Sequence, residues 1–494
     1  MPERLLPATT AVPVWRRAGI RSLEEQLQAR TADRLMDLAG WATARLALAL
    51  APHARTVWIV AGPGNNGGDG LEAAMHLHRW GLRVQVSLLA RPLDGPRDAR
   101  RAHERAQAAG VPIQQGLPAS PPDLGAQDLC IDALLGMGAT RPAQGEMLQA
   151  IDWLNSRAAP TLSIDLPSGL DADSGQTLGE AVVQADHTLT MLGAKPGLFM
   201  GRGRDVCGTL WCASLGLPAQ ACDWASPDAR LNPPATPLQR HHASHKGSHG
   251  DLAVVGGESH GSGSGMAGAA LLAAQAALSA GCGRVMLSLL GEAAPPMRWP
   301  PDLMQKDINA LDLPRLTVVA GCGGGRAMAQ PMARLLQHSA RLVLDADAIN
   351  RLAEDPWLAQ GLLQRAQRRL DTLMTPHPLE AARLLGVSTT EVQADRLQAA
   401  QTLSQRWQCA VVLKGSGSVI AMPGQTPRIN TTGNGRLAIG GTGDVLAGLA
   451  GARWSVLGDV WAAACDAVWT HGHVADHWPA DLALTASRLA DRLR

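Results

Sequence analysis

The stretch TVWIVAGPGNNGGDG, residues 56–70, decides how the chain is read. Thr56 to Ala61 is an apolar run of strand length. It passes at once into Gly62-Pro63-Gly64-Asn65-Asn66-Gly67-Gly68-Asp69-Gly70, five glycines in nine residues. A plain turn needs one or two glycines. Five leave many backbone N–H groups free to point one way, which is how a loop and a helix start hold phosphate. The spacing predicts a helix from Gly70 to Trp80, and Arg83 to Leu89 reads as the next strand.

Working outward, Asp128 to Asp132 and Pro160 to Asp165 are two more short apolar runs, each closing on an acid. Such alternation of strand and helix implies a parallel sheet covered on both faces. Ligands in these folds lie beyond the carboxyl ends of the strands, where the glycine-rich turn, Asp132 and Asp165 all fall. A hard cation prefers oxygen ligands. Asn66, Asp132 and Ser168 could offer three around one point, leaving Asp165 free as an acid or base. Any one of these acids alone would read as a helix N-cap; three such turns in one sheet favour a site.

From Asp223 to Pro237 the chain is rich in Pro and polar residues and reads as a linker. The expected boundaries are a first domain over 1–225, a linker over 226–243 and a second domain over 244–494. A second α/β alternation runs through Leu252 to Gly257, Arg284 to Leu290, Thr317 to Ala320, Arg341 to Asp345, Thr372 to Met374 and Ala410 to Leu413. Its decisive segment is NTTGNG (430–435) with AIGGTGDVLAGL (438–449), a glycine-rich turn opening an apolar helix. Backbone N–H groups at such a start can hold a transferring phosphate. Asp444 lies in the first turn, where a carboxylate can take the proton of a substrate hydroxyl. Capping alone does not require Gly at 440, 441 and 443. Upstream, Lys414-Gly415-Ser416-Gly417-Ser418 suits nucleotide phosphates, with Lys414 as a point charge. His377 stands between two prolines that fix φ, and Asp345 and Asp347 close another strand.

The composition sets limits. The chain has 494 residues, 46% hydrophobic and 18% charged, with a formal net charge of +1. That balance argues against a general nucleic-acid binder. No apolar run is long enough to cross a membrane, the N-terminus lacks a signal-peptide pattern, and eight cysteines without a CxxC pair read as reduced thiols. The expected compartment is cytoplasmic. Lysine occurs only at 195, 246, 306 and 414 while arginine is abundant. A chain that otherwise avoids lysine keeps it where a compact ammonium is needed, which singles out Lys195, Lys246 and Lys414.

The motifs GPGNNGGDG, DALLGMG, SIDLPSGLDADSG and ADHTLTMLGAKPGL, spread over roughly residues 20 to 220, resemble the NAD(P)H-hydrate epimerase family. That resemblance implies potassium ligands at Asn66, Asp132 and Ser168. It implies hydrate contacts at Asn65, Asn66, Gly67, Gly68 and Asp69, at Gly136, Met137, Gly138, Ala139, Thr140, Arg141 and Pro142, and at Asp165, the candidate for proton transfer at the C6 hydroxyl of the reduced ring. The segments HKGSHGDLAVVGG, DADAIN, TPHPLEAARLLG, LKGSGSVI and NTTGNGRLAIGGTGDVLAG resemble the ADP/ATP-dependent NAD(P)H-hydrate dehydratases of ribokinase-like fold. They imply that Lys414, Gly415, Ser416, Gly417, Ser418 and Gly443 contact ADP or ATP, accompanied by Mg2+. They imply hydrate contacts at His377 and Asp444, and weaker ones at Ala269 and Gly323. The chain departs from the dehydratase pattern at Gly321-Cys322-Gly323-Gly324-Gly325 and at Met266-Ala267-Gly268-Ala269.

The fold class expected is therefore α/β, two three-layer α/β/α domains, the first Rossmann-like and the second ribokinase-like. The expected function is bifunctional repair of hydrated NADH and NADPH, by a homo-oligomer that binds neither nucleic acid nor membrane. Two rivals stand beside it. One is a kinase for a vitamin-like alcohol, which would have no need of the GPGNNGGDG domain. The other makes the first half a non-catalytic binding module. A dinucleotide fingerprint at Gly263 to Gly268, with Glu292 as ribose partner, starts too far from its strand to be persuasive. The histidines at 241, 242, 245 and 249, and at 471, 473 and 477, read as linker and surface residues rather than metal ligands.

Overall fold

The structure is a computed structural model, and it describes residues 2–31, 34–89, 95–237, 241–260, 265–291 and 300–493. Gly263, Ser264 and Glu292 lie outside the described residues. The chain divides into two compact units. One is Val12–Arg230 with the segment up to Ala8; the other runs from Leu231 to the C-terminus with Thr9–Ala11. Among the described residues no helix is long and apolar enough to cross a membrane, and all eight cysteines are free.

In the first unit the elements are β1 (Glu3–Arg4), β2 (Pro13–Val14), α1 (Arg17–Gln28), α2 (Leu35–Leu50), β3 (Thr56–Ala61), α3 (Asn65–Arg79), β4 (Arg83–Leu88), α4 (Arg97–Ala108), β5 (Ile113–Gln115), β6 (Leu129–Ala133), α5 (Glu146–Asn155), β7 (Thr161–Ile164), β8 (His187–Met191), α6 (Gly203–Val206), β9 (Thr209–Ala213), α7 (Ala221–Trp224) and β10 (Ala229–Leu231). The sheet order is β1-β9-β8-β7-β6-β3-β4-β5, parallel from β9 to β5 with β1 antiparallel at the edge. Counted from β3, this is the doubly wound order, and it reverses between β3 and β6. Alternate residues of β3 serve two layers. Val57, Ile59 and Ala61 pack under α2 and α3, while Trp58 and Val60 pack with Ala150 and Ile151 of α5. Both faces are buried, which is why TVWIVA reads as an unbroken apolar run.

Two expectations need correction here. The first helix after β3 starts at Asn65 rather than Gly70, so most of the glycine-rich segment is helix. Its glycines serve close packing. A Cβ on Gly62 would come within 1.9 Å of the Leu134 carbonyl oxygen, and one on Gly67 within 2.0 Å of the Gly62 carbonyl oxygen. Residues 229–231, inside the expected linker, are strand β10, paired antiparallel with β2 through Ala229 and Val14. The Trp15 indole N–H donates to the Ala225 carbonyl at 2.8 Å, tying that segment down further. Proline-rich composition marked the place but not the pairing.

In the second unit the elements are β11 (Asp251–Ser259), α8 (Ala267–Ser279), β12 (Arg284–Gly291), β13 (Met304–Gln305), β14 (Thr317–Ala320), α9 (Ala329–His338), β15 (Arg341–Leu344), α10 (Ala346–Glu354), α11 (Pro356–Gln367), β16 (Thr372–Met374), α12 (Pro378–Leu385), α13 (Thr389–Ala394), α14 (Arg396–Trp407), β17 (Ala410–Leu413), β18 (Val419–Ala421), β19 (Arg428–Ile429), α15 (Thr442–Leu457), α16 (Val460–Asp476) and α17 (Ala486–Asp491). The strands run β13-β12-β11-β14-β15-β16-β17, all parallel, then β18 and β19 antiparallel. Counted from β11, the parallel part repeats the order of the first unit and reverses between β11 and β14. Residues of β11, β12 and β14 form one core with α8, α15 and α16. The glycines of α15 make that packing possible: a Cβ on Gly448 would come within 2.0 Å of the Ala273 carbonyl oxygen in α8.

Candidate active sites

In the first unit the side chains converge where the strand order reverses. Asp132, near the end of β6, is fully buried. One of its oxygens accepts from the Ser168 hydroxyl at 2.5 Å, the other from the Ser163 hydroxyl at 2.8 Å and the Ser168 N–H at 2.9 Å. Burial raises its carboxyl above the usual range against those hydrogen bonds. Among the described residues no Lys or Arg pairs with it. The Ser168 hydroxyl in turn accepts from the Leu135 N–H at 2.9 Å, fixing the loop after β6. The buried Asn66 side chain packs against that loop at Gly136, and its Nδ2 has no hydrogen-bond partner. Neither Asp132 nor Asp165 caps a helix, since loops follow both strands.

Asp165 follows β7 with φ 68, a conformation uncommon outside glycine. Its backbone N–H donates to the Leu189 carbonyl at 2.7 Å. One carboxylate oxygen accepts from the Met137 N–H at 3.1 Å; the other lies 2.6 Å from the Lys195 Nζ. Lys195 is completely buried, and its ammonium also donates to the Thr190 hydroxyl at 2.8 Å and the Met191 carbonyl at 3.0 Å. A buried ammonium with a carboxylate and neutral oxygens around it is compensated. Glu24 on α1 and Asp69 on α3 lie within electrostatic reach of the pair. Burial holds the Glu24 carboxyl above its ordinary range against Lys195. Burial, followed by the charges of Asp165 and Glu24, holds the Asp69 carboxyl well above its own. Helix α1 is anchored there by Arg17, whose guanidinium sits 2.8 Å from Asp171 and whose N–H donates to Asp173 at 2.8 Å. Asn65, Gly138, Thr140, Arg141 and Pro142 are exposed around this cluster, with Ala139 half-buried.

The second unit gathers its groups at the carboxyl ends of β14 to β17. Asp345, buried after β15, accepts from the Lys414 ammonium at 2.6 Å and the Thr375 hydroxyl at 2.8 Å. The Glu380 carboxylate lies 4.0 Å from the same ammonium, and burial pushes its carboxyl up to about 7 despite that charge. A Cβ on Gly443 would meet the Lys414 Nζ at 3.3 Å, so the ammonium stands between these acids and the head of α15. That helix is N-capped by Gly441 in the left-handed region with no side-chain cap bond. No N-cap side chain therefore competes for its first-turn N–H groups, which favour an anion. Asp444 is not the cap. Burial, then the charge of Asp345, raises its carboxyl to about 6.

His377 has a more local part than its framing by prolines implied. It is the N-cap of α12, its Nδ1 accepting from the Leu379 and Glu380 N–H groups at 3.1 and 3.3 Å. Its Nε2 lies 3.2 Å from Glu380, so the ring also faces the acid beside Lys414. Ala269 and Gly323 meet directly: a Cβ on Gly323 would lie 2.9 Å from the Ala269 Cβ. The loop from Lys414 to Ser418 is shaped by Arg396, which donates to the carbonyls of Leu413 and Lys414 at 3.2 Å and of Gly417 at 3.4 Å. Lys246, singled out with Lys195 and Lys414, lies exposed in a 3-10 turn. His471, expected at the surface, is buried with Nε2 3.0 Å from the Thr442 carbonyl. Among the described residues, the other histidines of the two clusters take part in no group of three or more His, Cys, Asp or Glu whose ligand atoms converge.

The structure adds Glu24, Glu380, Arg396 and Cys322 to the clusters predicted from sequence, and sets Lys195 beside Asp165. Lysine rarity pointed at Lys195. Glu24 and Arg396 carry no local signal, because each reaches its cluster from a helix remote in sequence.

The pattern described as YjeF-related protein N-terminus matches residues 32–197, and that of NAD(P)H-hydrate dehydratase matches residues 253–494. The chain is 36% identical over 491 residues to the bifunctional NAD(P)H-hydrate repair enzyme Nnr of Escherichia coli (strain K12), covering 95% of this chain and 90% of the relative. It is 35% identical to that of Coxiella burnetii, covering 90% and 89%. Among solved structures, the second unit is similar to the ADP/ATP-dependent NAD(P)H-hydrate dehydratase of Bacillus subtilis co-crystallised with ATP/Mg2+. That match has 27% identity and a TM-score of 0.43, covering 52% of this chain and 92% of that one. With both patterns present in order and such identity over nearly its whole length, the chain belongs to the bifunctional NAD(P)H-hydrate repair enzymes.

Proposed function

We propose that the two units divide the repair of hydrated nicotinamide nucleotides between the two clusters described above. The first unit interconverts the (R) and (S) hydrates of NADH and NADPH. Asp165 moves the proton at the C6 hydroxyl, with Lys195, 2.6 Å away, holding the carboxylate oriented. Asn65 to Asp69 and Gly136 to Pro142 line the hydrate. Asn66, Asp132 and Ser168 would hold K+. A buried carboxylate that no Lys or Arg pairs with among the described residues, with the Ser168 hydroxyl bonded to it, is an oxygen set that suits such an ion, to which Asn66 would add its amide oxygen. The ion would supply charge compensation for Asp132.

The second unit dehydrates the (S) form at the expense of ADP or ATP. Lys414 to Ser418 and the N–H groups around Gly443 bind the nucleotide, and Mg2+ accompanying it would neutralise phosphate charge. Asp444 takes the proton of the C6 hydroxyl as the phosphoryl group is transferred. Phosphate then leaves C6 with a proton from the adjacent ring carbon, and the ring double bond returns. Ala269, Gly323 and His377 contact the hydrate.

The observation that carries this reading is the placement of Asp444 at the head of a helix without a side-chain cap, beside the Lys414–Asp345 pair, where its carboxyl is raised to about 6. A general base works best with a pKa near the operating pH. Chemically hydrated NADH, given with Mg2+ and ADP or ATP, is expected to regain the near-ultraviolet absorbance of the reduced ring. Failure with both nucleotides, alongside phosphorylation of a vitamin-like alcohol, would make the second unit a kinase instead.

A further inference from the structure

Cys322 follows β14 at the point where the strand order of the second unit reverses. Its turn is held against β11 at two points. The Gly321 N–H donates to the Val255 carbonyl at 3.0 Å, and the Cys322 carbonyl accepts from the Gly257 N–H at 2.9 Å. Gly321 and Gly323 have φ 113 and 59, which only glycine adopts without strain. Cys322 is fully buried. Its S–H is placed to donate to the Asp345 oxygen that Lys414 does not hold, with Sγ 4.0 Å away. The sulfur and one oxygen each of Asp345 and Asp444 all lie within 4.8 Å of one another.

A buried free cysteine is ordinarily a small hydrophobe. This one is set between two carboxylates, and a carboxylate can only accept. Lys414 serves the far oxygen of Asp345. Burial and the two acids push the thiol far above its ordinary range, so it keeps its proton and remains a donor. The same contact opposes the effects of burial and Asp345 on Asp444.

We propose that Cys322 is a positioning residue for dehydration, its one S–H able to turn from Asp345 to the nearby Asp444 and so holding the base carboxylate aimed and charged between Asp345 and the substrate. The proposal rests on the reading of Asp444 as the base. The charged and titratable groups around Asp444 are Asp345 after β15, Lys414 after β17, Cys322 after β14, Glu380 and His377 on α12 beyond Lys414, Asp347 on α10, and His471 on α16 against the Thr442 carbonyl. Substitution at 322 leaves all the others in place.

The test is the pH profile of kcat for dehydration of hydrated NADH in the full chain, for Cys322→Ala, Cys322→Ser and Asp444→Asn. With Cys322→Ala the donor is lost, and the acid limb of kcat is expected to move up by roughly half to one pH unit. The KM for ADP should be unchanged, because Lys414 to Ser418 are untouched. Cys322→Ser keeps a donor and should return the limb to the wild-type position. A Cys322→Ala enzyme that folds and keeps the wild-type limb overturns the proposal, as does a Cys322→Ser enzyme whose limb moves with that of Cys322→Ala. Loss of rate at every pH without a limb shift would make Cys322 a packing residue only. Asp444→Asn reports separately: should it dehydrate at the normal rate, the reading of the base falls first, whatever Cys322 does.

Discussion

The two units share a strand order and a chemical device, and differ in how each device is finished. Each places an aspartate just beyond a parallel strand and neutralises it with a lysine at 2.6 Å, Asp165 with Lys195 and Asp345 with Lys414. In the first unit that pair is the centre, and the nearby helix α3 packs its glycines onto the sheet. In the second the pair is a support. A further acid, Asp444, enters from the head of α15, and glycines leave that helix start uncapped. The first arrangement suits proton transfer on one ligand. The second adds an anion site and a base raised toward neutrality, as phosphoryl transfer requires.

The sharpest way to break the comparison is to remove each acid's charge without its shape. Asp444→Asn is expected to slow dehydration by about 10²–10⁴-fold while the hydrate epimers still equilibrate. Asp165→Asn is expected to do the reverse, stopping equilibration by a similar factor and sparing dehydration of the (S) form. Proton NMR of the epimer ratio, run beside the absorbance assay, reads both. Cross-effects, with either variant disabling both reactions, would mean that the division of labour is wrong.

Removing each lysine asks whether the pairs are equivalent supports. Lys195→Met leaves Asp165 in a buried site with only N–H donors, and breaking a buried pair costs about 3–5 kcal/mol. Lys414 is partly exposed at the head of α15, so the loss of stability for Lys414→Met should be smaller and the loss of ADP binding larger. Urea unfolding and nucleotide titration of both variants would separate them. Equal destabilisation would show that exposure does not distinguish the two pairs.

A third test concerns what the glycines are for. Gly67→Ala would drive a Cβ to within 2.0 Å of the Gly62 carbonyl oxygen. Overpacking of that kind costs roughly 1–3 kcal/mol. Gly440→Ala meets nothing within 4 Å and should leave stability unchanged. Thermal melts decide it: a Gly67→Ala protein as stable as the parent would return the GPGNNGGDG glycines to ligand contact alone.

These contrasts also show what was legible in the sequence. The strands Thr56–Ala61, Thr317–Ala320, Thr372–Met374 and Ala410–Leu413 stand out because strands buried on both faces are continuous apolar runs bounded by glycine or proline. The strand His187–Met191 does not stand out in the same way, since threonines interrupt its apolar run. The start of α3 lies five residues before the expected one, because Asn and Gly are poor helix formers by propensity and only close contacts of Gly67 with Gly62, Gly68 with Met36 and Gly70 with Ala133 explain the glycines. Asp165, Asp444 and Lys414 could be found because turn chemistry marks them locally. Glu24, Arg396 and the place of Cys322 could not, because each is defined by what another element brings beside it. His471 was misread for the same reason: its burial comes from α15, not from its neighbours in sequence.

The smallest effect expected is a dependence on pH that belongs to one unit. Asp444 carries a carboxyl raised to about 6. As a base it must be ionised, so dehydration should fall as pH drops through about 6 and lose roughly tenfold near pH 5. If epimer equilibration in the same samples follows the same curve, the limb belongs to the whole fold and not to Asp444. Stability should depend on pH in the opposite direction. A carboxyl raised in the folded state contributes stability that is present below its unfolded value and lost as pH rises through about 6. Asn mimics the protonated form at every pH, so Asp444→Asn should melt no lower than the parent at pH 5 and slightly higher at pH 7. Glu380, raised to about 7, titrates in the same window, and comparing variant with parent subtracts it. Were Asp444 a helix cap instead, its charge would stabilise α15. The variant would then lose melting temperature as pH rose, the opposite trend.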